Sequence, residues 1–207
     1  MNDQLKGHLA SLESLKSNDS SENIYDAWAK NYDQNLSEEY DYVAPQIAIT
    51  AFLAQKVSRS AHIVDYGCGT GLVGKLLWEN GFNNVDGYDI SQGMLDIAAE
   101  KGVYNGLYKA DLTKNLEIDT ETYDAMICVG SFAAGHLNAN HLDEMLRTIK
   151  KGGAIVLFMN EQFYLKDNYP SYFVKLMQAG VWTLFRQERH NYMQSIHRPG
   201  WLVIAER

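Results

Sequence analysis

Few folds accommodate a β-branched pair that runs straight into an acid, three alternating glycines and an apolar helical series. Here the run is Ile63-Val64-Asp65-Tyr66-Gly67-Cys68-Gly69-Thr70-Gly71, with Leu72, Val73, Leu76 and Leu77 behind it. The pattern predicts a strand, a tight turn and a helix start. Glycine has no Cβ, so its backbone takes positive φ and approaches a ligand closely, while the first N–H groups of the helix point into the same space. Such a turn is built to hold something.

Charge narrows what it holds. Gly69-x-Gly71-x-x-Gly74 also satisfies the dinucleotide fingerprint, which would seat a pyrophosphate at the helix N-terminus. Asp65, however, is expected at the mouth of the turn, where a carboxylate repels a pyrophosphate and attracts a cation. About 20 residues further on, Val85-Asp86-Gly87-Tyr88-Asp89 reads as a second strand ending in an acid, the place of a carboxylate that accepts from both ribose hydroxyls. Two acids so placed suit a cationic nucleoside. S-adenosylmethionine (SAM), with an ammonium and a sulfonium at one end and a ribose at the other, has that character.

At these residues the chain resembles the class I SAM-dependent methyltransferases. The matching pieces are the run from Asp65 to Gly71, Asp89-Ile90-Ser91 with Met94-Leu95, Ala110-Asp111-Leu112, Tyr123-Asp124-Ala125 before an apolar strand, and Lys151-Gly152-Gly153 before another. Within that superfamily, Tyr25-Asp26-x-Trp28-Ala29-x-x-Tyr32-Asp33, with Cys128-Val129-Gly130-Ser131-Phe132 and Gly135-His136, resembles the Williams-Beuren-region methyltransferase-like proteins over most of residues 23–207. The resemblance implies a Rossmann-like, doubly wound α/β sheet of seven strands. Most would be parallel, with an antiparallel last strand and helices on both faces. Taken with the residues themselves, it makes the candidate SAM-binding set Tyr25, Trp28, Tyr32, Asp65, Tyr66, Gly67, Cys68, Gly69, Gly71, Asp89, Ile90, Ser91, Met94, Asp111, Leu112, Val129 and Gly130. In the superfamily the acid at Asp111, or its neighbour, meets the adenine amino group; read alone, an Asp after a strand is a cap or turn residue. Met94 is likewise either an adenine contact or core filler.

A chain of 207 residues, 46% hydrophobic and 21% charged, is expected to form one soluble globular domain. Residues 1–57 read as an N-terminal tail and helical cap within that domain, and 58–207 as the SAM-binding core. The net charge of −8 argues against duplex nucleic acid, whose phosphates need clustered Lys and Arg. No apolar run approaches the roughly 18 residues of a membrane span and no signal core opens the chain, so the expectation is a cytoplasmic protein without a membrane partner. Cys68 and Cys128 fit a reducing compartment, and no metal-ligand spacing occurs among Cys and His. A monomer or weak dimer acting on a small molecule completes the expectation.

Along the chain, Leu5, Leu9, Leu12 and Leu15 permit either an amphipathic helix or a mobile tail. Tyr25, Trp28, Ala29 and Tyr32 share one helix face, as a docked core helix or as a lid over the site. A helix over 44–57, an Ser91 N-cap and a third strand over 103–109 follow. Tyr123–Val129 reads as a strand buried on both faces, ending in the glycine-bearing segment 130–136. A helix ending at Ile149, a stop at 150–153, a fifth strand over 154–159 and a helix over 172–178 come next. Two strands, 182–196 and 201–206, are expected around a turn at Arg198-Pro199-Gly200.

Methyl transfer from a sulfonium is an in-line displacement, so a protein contributes mainly alignment and exclusion of water. If the acceptor carries a proton, a base must take it, and His136 beside the fourth strand is the first candidate; His141, His190 and His197 come after it. Asn160, at the open end of the fifth strand, could accept from a substrate amine, but Met159-Asn160-Glu161-Gln162 lacks the Pro-Pro-Tyr that marks many amine N-methyltransferases. The aromatic residues Tyr25, Trp28, Tyr32, Phe132, Tyr164 and Trp182 suit a small, partly apolar acceptor instead. Two other readings stay open: a SAM-binding regulatory module without turnover, and an NAD-dependent oxidoreductase resting on Gly69 to Gly74 alone.

Overall fold

The structure is a computed structural model that describes residues 5–15, 21–132, 137 and 139–207. Seven strands form one sheet: β1 (Ile63–Tyr66), β2 (Val85–Asp89), β3 (Gly106–Lys109), β4 (Tyr123–Val129), β5 (Ile149–Asn160), β6 (Leu184–Met193) and β7 (Arg198–Glu206). Their order is β3-β2-β1-β4-β5-β7-β6. The first five run parallel, and β7 lies antiparallel to both β5 and β6, as the resemblance implied. From β1 the chain winds outward to β2 and β3 on one side, then returns to β4 on the other. A crevice therefore opens beyond the carboxyl ends of β1 and β4, where open α/β sheets bind ligands.

Strand periodicity builds both layers. Ile63, Ala125 and Ile127 enter one apolar cluster, whereas Val64, Tyr66, Met126 and Cys128 enter the other. Alternating side chains point to opposite faces, so continuous burial along β1 and β4 requires helices on each side. The first layer holds α4 (Ala44–Ala54) and α5 (Leu72–Glu79), with Phe52 and Leu77 wholly buried. The second holds α7 (Ala139–Arg147) and α9 (Tyr169–Gln178), packed through Leu142, Met145 and Phe173. An α6 (Gln92–Lys101) flanks β2 and β3.

Ahead of the sheet stand α1 (Gly7–Glu13), α2 (Glu22–Trp28), a 3-10 turn over Ala29–Asn31 and α3 (Tyr32–Tyr40). Trp28, Leu36 and Tyr40 continue the first apolar cluster, so this cap is docked on the core. The four-leucine pattern near the N-terminus is helical over α1, with Leu5 and Leu12 buried.

Several expected boundaries differ, three of them for a reason visible in the structure. The third strand starts at Gly106, because Gly102 ends α6 in the left-handed region at φ 62° and a turn intervenes. The fifth starts at Ile149 instead of 154, since Ile149 pairs with Tyr123 across an irregularity in register, and the exposed Lys and Gly residues ride inside the strand. Arg198-Pro199-Gly200 lies in β7; the chain reverses one step earlier, through a 3-10 turn at Gln194–Ile196 and a left-handed His197. Gly200 reads as a turn residue but serves close approach, because a Cβ there would fall 2.5 Å from the Phe158 ring. The sequence reading also missed α8 (Glu161–Lys166), which Asn160 caps. Among the described residues no helix is long and apolar enough to cross a membrane, and no cluster of His, Cys, Asp and Glu could hold a metal. Cys68 and Cys128 are both free and buried.

Candidate active site

At the crevice the chain leaves β1 through Gly67 and Gly69, both at positive φ, and Gly71 opens α5 in the left-handed region at φ 88°. The Tyr88 carbonyl at the end of β2 accepts from the N–H groups of Gly67 (2.7 Å) and Cys68 (3.0 Å), which fixes the loop to the neighbouring strand. Asp89 then clamps it from the other side: Oδ2 accepts from Gly69 N–H at 2.8 Å and Oδ1 from Ser91 N–H at 2.9 Å. Burial pushes the Asp89 carboxyl up, against the pull of those donors, and the charge of Asp26 adds to the rise. Each oxygen keeps a lone pair for a further donor.

Around these groups lies a cavity of about 660 Å³, its open mouth included. Gly67, Gly69, Asp89, Ile90 and Met94 form one side; Asp111, Leu112 and Thr113 form another; Val129 and Gly130 close it from β4; Tyr25 and Tyr32 cover it from the cap. Most of the expected SAM set is thereby brought to one place. No atom comes within 4 Å of a Cβ built on Gly69, so a side chain there would occupy the cavity itself. Thr113 lines it too, and was not singled out from the sequence because hydroxyls after strands are common turn residues; Ser131, quoted in the motif that follows β4 but not among the expected contacts, also lines it. No Lys or Arg is among the described lining residues. A glycine cradle, an acid with lone pairs to spare and this absence of cations fit a cationic nucleoside and not a pyrophosphate.

Six expected contacts lie outside that lining, each for a visible reason. Tyr66 points into the opposite layer, where its hydroxyl meets Thr148 Oγ1 at 2.9 Å. Cys68 is buried against Gly87. Ser91 caps α6, accepting from Met94 N–H at 3.1 Å, and donates to Asp26. Trp28 turns to a second cavity, its Nε1–H on Asn35 Oδ1. Gly71 packs against Tyr104 and Ala98. Asp65 is buried behind the turn instead of standing at its mouth: Tyr104 donates to Oδ2 at 2.7 Å, and Oδ1 has no partner. Burial raises its carboxyl to about 7, with the Tyr104 hydrogen bond opposing and the Asp89 charge adding. Gly74, the last glycine of the dinucleotide match, makes room for that Tyr104, whose ring would lie 2.2 Å from a Cβ there.

Asp111 lies where its two readings meet. It lines the cavity, yet Oδ1 accepts from Thr113 N–H and Oγ1–H as a turn residue does. Burial would raise its carboxyl, but the bonds from Thr113 and Lys114 outweigh that and hold it low.

The sequence motif of the cap carried two acids that were not singled out. Asp26 Oδ1 accepts from Ser91 Oγ–H (2.5 Å) and Gly93 N–H (2.9 Å), tying α2 to the start of α6. Asp33 accepts from Thr70 of the glycine loop and pairs with Lys101 at 2.9 Å. Aromatic periodicity drew attention to the tyrosines, whereas acids on an exposed helix face look like ordinary solvated charge.

A second cavity adjoins the first through Tyr25, Tyr32 and Gly130. Leu12, Trp28, Leu36, Tyr42, Phe158 and Tyr192 give it a largely apolar, aromatic wall. Asn160 lines it as well, but its Oδ1 accepts from Gln162 N–H at 2.8 Å and its Nδ2 donates to Tyr192 at 3.1 Å, so its acceptor atom is already engaged. His136, the first candidate base, lies outside the described residues. His141, His190 and His197 line neither cavity; burial holds the His141 imidazole low, and His190 meets Glu188 at 3.3 Å.

Residues 63–153 match the family model described as a methyltransferase domain. The chain is 34% identical to human methyltransferase-like protein 27 over 166 residues, which is 77% of this chain and 66% of that protein. It is 26% identical over 153 residues to a ubiquinone biosynthesis O-methyltransferase of Coxiella burnetii, covering 70% of this chain and 62% of that one. It thus spans just under two thirds of the length of these curated relatives. Among solved structures it superposes on an S-adenosylmethionine-dependent methyltransferase of Mesorhizobium loti with a TM-score of 0.58 at 18% identity, over 77% of this chain and 98% of that one. With the sheet order, the glycine loop and the acid-lined cavity, these matches identify the chain as a member of the class I SAM-dependent methyltransferases.

Proposed function

We propose that this chain transfers the methyl group of SAM to a small molecule held in the second cavity. The carrying observation is that the two cavities share Tyr25, Tyr32 and Gly130 as a common wall, one acid-lined and the other aromatic. In this reading Asp89 holds the ribose hydroxyls, Gly67 and Gly69 let the backbone reach the cofactor, and Ile90, Met94 and Leu112 pack the adenine. Asp111 or Thr113 meets its amino group, and the buried charge of Asp65 balances the cationic end from behind the loop. Bound SAM supplies a methyl on positively charged sulfur, which departs as a neutral thioether when the acceptor's lone pair forms the new bond.

The chain's own part is alignment and exclusion of water by the docked cap. Tyr42 and Tyr192 have their hydroxyls pushed well above the ordinary range, chiefly by burial, so they serve as donors that orient an acceptor and not as bases. For an acceptor with a proton to lose, His136 is the proposed base. The Coxiella relative, named as an O-methyltransferase, makes hydroxylated acceptors the first to try. A direct test is to incubate the protein with methyl-labelled SAM and a cell extract separated into small-molecule, RNA and protein fractions. Label in the small-molecule fraction supports the reading; label confined to RNA or protein, or none in any, overturns it.

A further inference from the structure

Arg198, the first residue of β7, lines the second cavity with its side chain only 7% exposed. Nη2 is ion-paired to Glu13 Oε1, while Nη1 is buried without a hydrogen-bond partner. Glu13 is the one acid among the described residues that line this cavity. A guanidinium taken out of water needs an anion with excellent geometry, and its planar fork is matched by a carboxylate reaching both terminal nitrogens. Glu13 meets only half of that requirement. Burial also lowers the guanidinium to about 10, the mark of a cation short of compensation.

Glu13 is itself poorly placed as a permanent partner. It is the last residue of α1, where the helix dipole is negative and disfavours a carboxylate. The helix is seven residues long, with no side-chain cap and no acid in its first turn. Short helices of this kind depend on what they rest upon. Here that is Leu5 and Leu12 in the core, a 3.0 Å bond from Lys6 N–H to Tyr40, and His8 stacked on Trp28. A contact meant only to anchor α1 would not require a half-paired cation inside a largely apolar and aromatic cavity beside the acid-lined one.

We infer that Arg198 binds a carboxylate on the methyl acceptor, and that Glu13 of α1 occupies that partner's place until the acceptor arrives. This rests on the second cavity being the acceptor site, as proposed above. The acceptor class is then an apolar or aromatic carboxylic acid, whose body lies among Leu12, Leu36 and Phe158 while its anionic group reaches the fork of Arg198. Displacement of Glu13 would couple acceptor entry to movement of α1.

The test uses matched pairs of ligands: phenylacetate, 4-hydroxyphenylacetate, cinnamate and octanoate, each beside its primary amide. Their affinities are measured by calorimetry for the wild-type chain, Glu13→Gln and Arg198→Gln, with and without S-adenosylhomocysteine, and SAM affinity is measured separately for all three proteins. At least one acid should bind the wild type about tenfold or more tightly than its amide. Glu13→Gln should strengthen binding of that acid several-fold and leave the amide unchanged, because a competitor has been removed. Arg198→Gln should erase the preference while SAM affinity stays within about twofold. No acid outbinding its amide in either the wild type or Glu13→Gln overturns the inference, as does a Glu13→Gln variant with unaltered acid affinity. An acid preference in a chain that fails to bind SAM would support the anion site and remove the methyltransferase reading instead.

Discussion

A carboxyl group taken out of water at the end of a strand is a cost unless a charge returns to it. Asp65 is such a group: wholly buried, one oxygen on Tyr104, the other without a partner. Its carboxyl titrates near 7, against 3.8 in an unstructured chain. Below about pH 4 the carboxyl is protonated in the folded and the unfolded chain and ionisation adds no penalty; between pH 4 and 7 only the unfolded chain ionises, so folding stability falls as pH rises and levels off above 7. Asp65→Asn should therefore raise stability at pH 8 by about 1–3 kcal/mol, raising the melting temperature by several degrees, with little effect at pH 4. The same change should weaken SAM binding about tenfold or more, and calorimetry beside thermal melts at the two pH values checks both halves. Asp89 differs because its oxygens already organise the loop through Gly69 and Ser91. Asp89→Ala should cost about a hundredfold in SAM affinity without unfolding the chain. An unchanged affinity would remove Asp89 from the site.

Whether the cap behaves as a lid is decided by its anchors. Asp26 ties α2 to Ser91 and Gly93, and a Cβ on Gly93 would lie 3.1 Å from Asp26 Cα, so the two helices meet backbone to backbone. Asp33 ties α3 to Thr70 and Lys101. Glycine loop and cap are therefore one connected piece, and loosening an anchor should reach the cavity through Tyr25 and Tyr32. We expect Asp26→Ala to speed amide hydrogen exchange across 22–40 and to weaken SAM binding about tenfold, while the melting temperature of the sheet changes little. Exchange rates unaltered by the substitution would mean that Asp26 is not an anchor. The three aromatics of this motif were visible in the sequence because a 3.6-residue period is a strong signal. The two acids were not, since nothing in a single sequence separates a carboxylate that meets a distant helix terminus from one that meets water.

At the scale of the molecule, the parallel half of the sheet was legible because β1 and β4 are short, mostly apolar runs closed by glycine and buried on both faces, and β2 follows β1 at the spacing of a strand ending in an acid. The antiparallel half was blurred. β6 carries exposed Arg186, Gln187 and Arg189 with half-buried Glu188 and His190 between and beside them, and a proline and glycine inside β7 imitate a turn. The second cavity could not be read at all, since it is assembled from α1, α3, β5 and β7, which touch only after folding. Net charge, by contrast, is complete in the sequence and acts on the whole surface. At −8 the chain surrounds an acid-lined cavity with a negative field, which draws a cationic ligand inward and leaves an anionic one dependent on a local cation such as Arg198 in the second cavity. The association rate for SAM should fall several-fold between about 20 mM and 500 mM salt, as the Debye length shrinks from roughly 20 Å to about 4 Å, while the dissociation rate changes little. Stopped-flow measurement of tryptophan fluorescence separates the two rates, because Trp28 stacks on Tyr25 and meets Tyr32 edge-on, and both tyrosines cover the cavity. NADH, an anion, should give no saturable signal at either salt concentration. A SAM association rate indifferent to salt would place recognition entirely in short-range contacts around Asp89 and the glycine loop.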